Sequence, residues 1–304
     1  MKAVHLQVDG RRRSFVLQLP VVSRAGLPLL LVLHGRRSPV VAPIQRFAES
    51  VARRMNGFGA CVDRYGIAVA YPEALDGAWA DGCGVTTADL RGVNDTAFLL
   101  AVAEWCAEHH GTGRDGLLLA GMSNGAFMAH RAALEASESI AAFGAIAGGL
   151  PADLADHHPT HAVSALLING TEDRAVPITG GYSRRRGPNG ELRGRTLSLA
   201  ETARRWAEID RCTTDEAIDE RPSGLGPNDL AITRRTAAEG VGGTRVETWT
   251  INGMGHTWPG ARSPRILEPL EGKTPQNIDA AEELCRFALP LLIPTADRRL
   301  QDRQ

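Results

Sequence analysis

Residues 117–128, with the sequence LLLAGMSNGAFM, combine an apolar run, a Gly-x-Ser-x-Gly turn and a segment that favours helix. The apolar run predicts a buried central strand, and the residues after the turn predict a helix. A turn this tight requires glycine at both flanks, here Gly121 and Gly125, because a Cβ atom at either position would collide with neighbouring backbone. The serine between them, Ser123, is then pushed into the open. We interpret the stretch as a strand, a nucleophile elbow and a helix.

Short apolar runs on both sides of this stretch predict further buried strands, because each run ends at turn residues. These runs are residues 14–20, 28–35, 67–72, 140–147 and 165–169. Segments with apolar residues at helical spacing alternate with them, at residues 42–56, 95–106 and 197–209. The alternation predicts an α/β fold, in which helices cover both faces of a mostly parallel sheet.

The remaining segments have other patterns. Residues 73–93 and 213–228 predict loops, and residues 230–236 and 244–251 predict an antiparallel hairpin on the edge of the sheet. Asn94 is a candidate cap for the helix that follows it, and residues 277–289 predict the last helix. We expect residues 1–293 to form a single catalytic domain and residues 294–304 to form a polar tail.

Composition limits the classes of partner. The chain of 304 residues is 43% hydrophobic and 23% charged, which is ordinary for a globular protein, and its formal net charge is −1. That balance shows no electrostatic footprint for nucleic acid or an anionic membrane, so a small uncharged substrate fits better. No secretory signal and no apolar run of about 18 residues is visible, so we expect a protein without a membrane span. We expect it to be cytoplasmic if this is the full natural chain, and secreted if a leader was removed.

Five cysteines are widely spaced, and none forms a Cys-x-x-Cys motif for metal or redox chemistry. We expect buried thiols and no metal site. Cys83 and Cys212, both in predicted loops, are the first pair to suspect if a disulfide forms.

Three residues supply the chemistry that a serine nucleophile needs. A serine hydroxyl becomes reactive when a base takes its proton, and the base needs a partner that holds its tautomer. The chain offers Ser123, then Asp173 just past a strand, then His256 in a Gly-rich loop. This is the order of the α/β-hydrolases, and all three follow the carboxyl ends of predicted strands. Glu172 is the one close competitor for the acid.

Main-chain N–H groups are the expected donors to the developing oxyanion. They belong to Asn124, directly after the nucleophile, and to Arg36, just after the His34-Gly35 turn. We expect His34 to pack there and fix that loop rather than to act as a catalyst, and we include it among the candidate substrate-binding residues.

Three segments carry a resemblance to a known family: GMSNGAFMAHR at residues 121–131, NGTEDRAVP at 169–177 and GHTWPG at 255–260. They resemble the signature segments of the polyhydroxybutyrate depolymerase-like esterases, relatives of carbohydrate esterase family 1, which includes feruloyl and acetyl xylan esterases. The segment His256-Thr257-Trp258-Pro259 is the most specific, because that tripeptide after a histidine has no general structural cause. The similarity extends from about residue 14 to about residue 290.

The resemblance implies an α/β-hydrolase fold, a triad of Ser123, Asp173 and His256, ester substrates and no cofactor. It also implies that Trp258 forms an aromatic wall by the acyl site, although core packing explains this residue equally well. The chain departs from the family after Gly35, where arginines stand in place of small residues or cysteine.

We therefore expect a serine esterase that acts on a small soluble ester through an acyl-enzyme. The same triad would also serve a thioesterase or an acyltransferase, and a hydrolase-fold binding protein without turnover is a rival of another class. Arg184, Arg185 and Arg186 are candidate contacts to a substrate carboxylate or phosphate, because their segment begins shortly after Asp173. Arginines in a Gly-rich loop are more often simply solvated.

Overall fold

A ten-stranded sheet forms the centre of the protein in the computed structural model, which describes residues 2–22, 26–36, 57–113, 116–184, 192–222, 224, 226–262 and 268–292. Its strands are β1 (Ala3–Val8), β2 (Arg11–Gln18), β3 (Leu29–Leu33), β4 (Ala68–Pro72), β5 (Leu117–Met122), β6 (Ile140–Ile146), β7 (Ser164–Gly170), β10 (Thr214–Arg221), β11 (Ile232–Ala238) and β12 (Val246–Ile251). Strands β8 (Gly181–Tyr182) and β9 (Arg195–Thr196) form a separate small hairpin.

The strand order is β1-β2-β4-β3-β5-β6-β7-β12-β11-β10. The six strands from β4 to β12 in that order are parallel. The strands outside them pair antiparallel on both sides. The carboxyl ends of the six parallel strands therefore meet along one edge, where α/β proteins place their functional sites.

Seven α-helices are present in the described residues. They are α1 (Phe58–Tyr65), α2 (Thr87–Leu90), α3 (Asp95–His110), α4 (Asn124–Glu135), α5 (Leu199–Ile209), α6 (Glu268–Glu271) and α7 (Ala280–Ala288). Asn94 caps α3, because its side-chain oxygen accepts a hydrogen bond from the Ala97 N–H at 3.0 Å. This cap was predicted from the sequence.

Two apolar layers lie on opposite faces of the sheet. Along β3, Leu29, Leu31 and Leu33 pack into one layer and Leu30 and Val32 into the other, since successive side chains of a strand point to opposite faces. Helices complete both layers: Phe98 of α3, Met128 of α4 and Trp206 of α5 lie in the first, and α1 and α7 contribute to the second. The predicted α/β architecture, with both faces covered, is confirmed.

The prediction of a loop at residues 213–228 was wrong, because β10 occupies residues 214–221. Strand β10 pairs with β11 and becomes the edge of the sheet, so the hairpin of β11 and β12 lies one strand further in than predicted. The sequence TDEAIDER is rich in charge, as exposed edge strands often are, and therefore lacks the apolar run that marks a buried strand. Strand β1, at the opposite edge, was also not predicted.

Other predictions have mixed outcomes. The helix predicted at residues 42–56 and the tail at 294–304 lie outside the described residues. The last helix begins at Ala280, because Asp279 caps it by accepting hydrogen bonds from the N–H groups of Ala281 and Glu282.

All five cysteines, Cys83 and Cys212 included, are free thiols. Among the described residues, no helix is long and apolar enough to cross a membrane.

Candidate active site

Ser123 occupies a strained turn between β5 and α4. Its backbone has a φ of 57° and a ψ of −122°, a conformation that residues other than glycine rarely adopt. The Ser123 N–H donates to the Ile146 carbonyl at 3.0 Å, which ties the turn to the end of β6. The side chain is partly exposed, as the sequence predicts for a nucleophile elbow.

The two glycines of the elbow are required by close backbone contacts. A Cβ atom on Gly121 would lie 2.6 Å from the nitrogen of Ala126, and a Cβ on Gly125 would lie 2.6 Å from the carbonyl oxygen of His34. Real Cβ atoms do not approach backbone atoms so closely. The elbow therefore packs directly on the end of β3, the strand that precedes the predicted oxyanion loop.

His256 follows β12 and contacts Asp173, which follows β7. The Nδ1 atom of His256 lies 2.8 Å from Oδ2 of Asp173. The other carboxylate oxygen, Oδ1, accepts hydrogen bonds from the N–H groups of Ala175 at 2.7 Å and Val176 at 2.8 Å. Because an ionised carboxylate only accepts hydrogen bonds, Nδ1 is the donor of this pair, and in the neutral imidazole Nε2 then carries the lone pair. Both side chains are buried, Asp173 being 3% and His256 8% exposed.

Glu172, the competitor for the acid, is exposed. Its N–H donates to the Met254 carbonyl at 3.0 Å, so its backbone helps to hold the loop that precedes His256. Of the two adjacent carboxylates, the structure brings Asp173 to the histidine.

His34 fixes the loop after β3. Its Nε2 accepts a hydrogen bond from the Ala74 N–H at 3.1 Å, so Nδ1 is the protonated nitrogen and donates to the Gly35 carbonyl at 2.7 Å. A Cβ atom on Gly35 would lie 3.5 Å from Cβ of Ser123. The loop at His34 and Gly35 therefore runs beside Ser123.

The other candidate substrate contacts predicted from sequence are Trp258 and the arginines at 184–186. Trp258 is 3% exposed and packs edge-to-face on Phe58, with ring centroids 5.7 Å apart. The structure therefore favours its alternative explanation, core packing, over the aromatic wall. Arg184 is exposed, while Arg185 and Arg186 lie outside the described residues.

Sequence reasoning missed a segment that packs under the elbow, Trp79 to Asp81. The Asn124 side chain accepts a hydrogen bond from the Trp79 N–H at 2.7 Å and donates to the Trp79 carbonyl at 3.2 Å and to Asp81 at 2.5 Å. A tryptophan within an otherwise polar, Gly-rich loop was the one available signal. Burial, followed by repulsion from Asp89, raises the pKa of Asp81 to about 7.

Asp95 also holds this segment. Its Oδ2 accepts from the Ala80 N–H at 2.7 Å, and its Oδ1 forms a buried ion pair with Arg13 at 2.6 Å. Asp95, which directly follows the helix cap Asn94, is thus a buried aspartate that anchors the loop.

The described part of the chain shows no cluster of metal-binding side chains. Within the described ranges, no group of three or more His, Cys, Asp or Glu side chains is placed to hold a metal ion.

The chain is similar to known esterases in sequence and in fold. The chain is 29% identical over 288 residues to NocK of Nocardia uniformis subsp. tsuyamanensis, itself described as a candidate esterase, and the alignment covers 93% of this chain and 80% of that protein. The acetyl xylan esterase from Aspergillus awamori superimposes with a TM-score of 0.52 at 14% identity, over 88% of this chain and 98% of the other. The structure of pOPH superimposes with a TM-score of 0.49 at 15% identity, over 83% and 79% of the two chains. No protein-family model matches the chain.

The superposition on the Aspergillus awamori enzyme confirms the predicted α/β-hydrolase fold. Together with the similarity to NocK, it supports the predicted class of enzyme: the chain is an esterase with this fold.

Proposed function

We propose that this esterase uses Ser123, His256 and Asp173 as a catalytic triad and forms an acyl-enzyme on Ser123. The observation that carries the proposal is the contact between Asp173 and His256. These residues follow the carboxyl ends of two parallel strands, and Ser123 follows the carboxyl end of a third, β5. A histidine with a protonated Nδ1 and a free Nε2 is the form that can accept a serine proton.

The proposed reaction has two steps. Nε2 of His256 accepts the proton of the Ser123 hydroxyl as Oγ attacks the ester carbonyl, and the imidazolium then gives that proton to the departing alcohol. Water next attacks the acyl-enzyme by the same route, which releases the acid and restores the serine. Asp173 stays ionised and stabilises the imidazolium in both steps.

The N–H groups of Asn124 and Arg36 are the proposed donors to the oxyanion. Asn124 is the first residue of α4, where backbone N–H groups lack helical partners and the helix dipole favours negative charge. Arg36 directly follows Gly35, the residue whose backbone lies beside Ser123. Donors of this kind typically contribute ~10² to 10³ in kcat each.

A small soluble ester is the proposed substrate, and residues 1–293 are proposed as a single catalytic domain. The similarity to NocK, described as a candidate esterase, and to an acetyl xylan esterase supports an oxygen ester. A thioester, or acyl transfer to an alcohol or amine, would use the same three side chains. A panel of p-nitrophenyl esters, feruloyl esters and acyl thioesters, each tested with and without an added alcohol or amine, separates these reactions.

Labelling with a fluorophosphonate tests the proposal against the rival of a binding protein without turnover. The reagent reacts with a serine that is activated by a neighbouring base. We expect one phosphonylated residue, Ser123, identified by peptide mapping, and loss of ester hydrolysis in proportion to labelling. An unlabelled protein with the wild-type fold would contradict the proposed mechanism.

A further inference from the structure

Trp79 contacts both sides of the proposed oxyanion hole. Its backbone N–H and carbonyl bind the side chain of Asn124, at 2.7 and 3.2 Å. Its indole Nε1–H donates to the carbonyl of His34 at 2.8 Å. The indole is fully buried and lies against the His34 ring, with centroids 5.2 Å apart.

The two partners of Trp79 adjoin the two proposed oxyanion donors. Asn124 supplies one donor through its own N–H. The His34 carbonyl belongs to the peptide that leads into Gly35 and Arg36, so fixing that carbonyl fixes the plane of the peptide and the course of the loop. Trp79 is thus a single rigid group between the loop after β3, at His34, and the N-terminus of α4, at Asn124. These two residues are 90 positions apart in sequence.

We propose that Trp79 is a positioning residue that sets the spacing between the two halves of the oxyanion hole. This inference rests on the proposed function, because it assumes that the N–H groups of Asn124 and Arg36 bind the oxyanion. Trp79 itself does not touch the reacting atoms.

The indole N–H is not needed to hold the Trp79 segment in place. The next residue, Ala80, is held through its N–H by Asp95 at 2.7 Å and through its carbonyl by Arg131 at 2.8 Å. Trp79 is also tied to Asn124 by its backbone N–H and carbonyl, which a substitution by phenylalanine retains. Removing the indole N–H therefore removes a restraint on the His34 carbonyl.

Loss of that restraint acts on the transition state rather than on substrate binding. The oxyanion forms only after Ser123 has attacked, so a displaced donor lowers kcat and leaves KM unchanged. A misplacement of about 1 Å in a catalytic site can lower the rate ~10²-fold. We expect Trp79→Phe to lower kcat by ~10-fold or more, with KM within about twofold of the wild type.

A matched control is available in Trp206. Its indole is also fully buried, and its Nε1–H donates to His130 Nδ1 at 3.0 Å, away from the oxyanion loop. Trp206→Phe removes the same kind of side chain and hydrogen bond. It should lower the melting temperature to a comparable extent and leave kcat within about twofold.

The experiment measures four quantities for the wild type, Trp79→Phe and Trp206→Phe: kcat and KM for p-nitrophenyl acetate, the inhibition constant of an aryl trifluoromethyl ketone, and the melting temperature. The ketone forms a tetrahedral adduct with the serine, and its oxyanion lies in the same hole. We expect Trp79→Phe to weaken inhibition by the same factor by which it lowers kcat/KM. Replacement of Trp79 by β-(3-benzothienyl)alanine, which has sulfur in place of N–H and the shape of tryptophan, supplies the same comparison if the phenylalanine variant does not fold.

The outcomes separate the two proposals. Unchanged kcat in the folded Trp79 variants would overturn the positioning role, as would a loss of kcat with unchanged ketone affinity or an equal loss in Trp206→Phe. A wild type whose hydrolysis does not depend on Ser123 would instead overturn the proposed function.

Discussion

Nδ1 of His256 lies 2.8 Å from Oδ2 of Asp173, although 83 residues of chain separate them. The two side chains meet because β7 and β12 are parallel neighbours in the sheet, in register from Ala165 and Val246 to Gly170 and Ile251. Their carboxyl ends therefore leave the sheet side by side. Asp173 and His256 are adjacent because of sheet topology, and the loop glycines allow the chain to turn there.

The acid can be tested by a pair of neighbouring substitutions. Asp173→Asn places an amide against Nδ1 of His256, and because an amide N–H can donate there, it favours the tautomer in which Nε2 carries the proton and cannot accept another. We expect kcat to fall by ~10⁴. Glu172→Gln, at an exposed side chain, should leave kcat within about twofold. The reverse pattern in ester hydrolysis assays would assign the acid to Glu172.

The backbone contact beneath the elbow can be tested with two glycines. Gly125→Ala forces a Cβ atom against the carbonyls of Leu33 and His34, so we expect a severe loss of stability or failure to fold. Gly59→Ala, in α1, meets nothing closer than the Gln18 side chain at 3.9 Å and should raise the free energy of unfolding by ~0.5 to 1 kcal/mol. Urea unfolding measures both. A wild-type midpoint for Gly125→Ala would contradict the close packing of the elbow on β3.

Asp210 predicts a pH dependence of stability. It is 0% exposed, and burial raises its pKa from 3.8 to about 7, opposed by the hydrogen bond from the Val163 N–H. Between pH 4 and 7 the folded state therefore binds more protons than the unfolded state, and stability falls as pH rises through this window. Across this window Asp210 changes the free energy of unfolding by on the order of 4 kcal/mol at most, because its pKa rises from 3.8 to about 7 on folding.

Urea unfolding at pH 4.5, 6, 7 and 8 measures this dependence, with the wild type compared to Asp210→Asn. The variant should lose less stability between pH 4.5 and 8 than the wild type does. Asp219→Asn, at an exposed carboxylate of β10, is the control and should leave the slope unchanged. Identical slopes for the wild type and Asp210→Asn would contradict the buried neutral acid.

The arginine segment after β8 predicts a charge preference for the substrate. Its two ends are joined by the β8–β9 hairpin, and Thr196 of β9 also pairs with Pro151 after β6, on the same edge as the elbow. If Arg184, Arg185 and Arg186 bind an anionic acyl group, their joint replacement by alanine should lower kcat/KM for a succinyl ester by ~10-fold or more and leave an acetyl ester unchanged. Added salt should act in the same direction. Equal effects on the two esters would indicate solvated arginines.

The central strands and the site residues could be predicted from sequence because their causes are local. Buried strands such as β3 and β5 are continuous apolar runs, and the elbow needs glycine at both flanks. The order of Ser123, Asp173 and His256 along the chain then suggested their roles. Strands β1 and β10 were missed because edge strands form by pairing with a neighbour and lack an apolar run.

The contacts of Trp79 and Trp258 depend on the tertiary structure. Trp79 binds Asn124 across 45 residues, and no local pattern indicates such a pair. Trp258 stands two residues after His256, which suggested a substrate contact, but its side chain lies in the apolar layer to which α1 contributes and packs on Phe58. Which side a loop residue faces is decided by packing, which periodicity does not report.

The most direct test of the account is the turnover of a p-nitrophenyl ester by Ser123→Ala. The side chain is partly exposed at the elbow, so its replacement should leave the melting temperature within about 2 °C of the wild type while kcat falls by ~10⁴ or more. That result would identify Ser123 as the nucleophile. A folded Ser123→Ala protein that kept more than about a tenth of the wild-type kcat would contradict the mechanism.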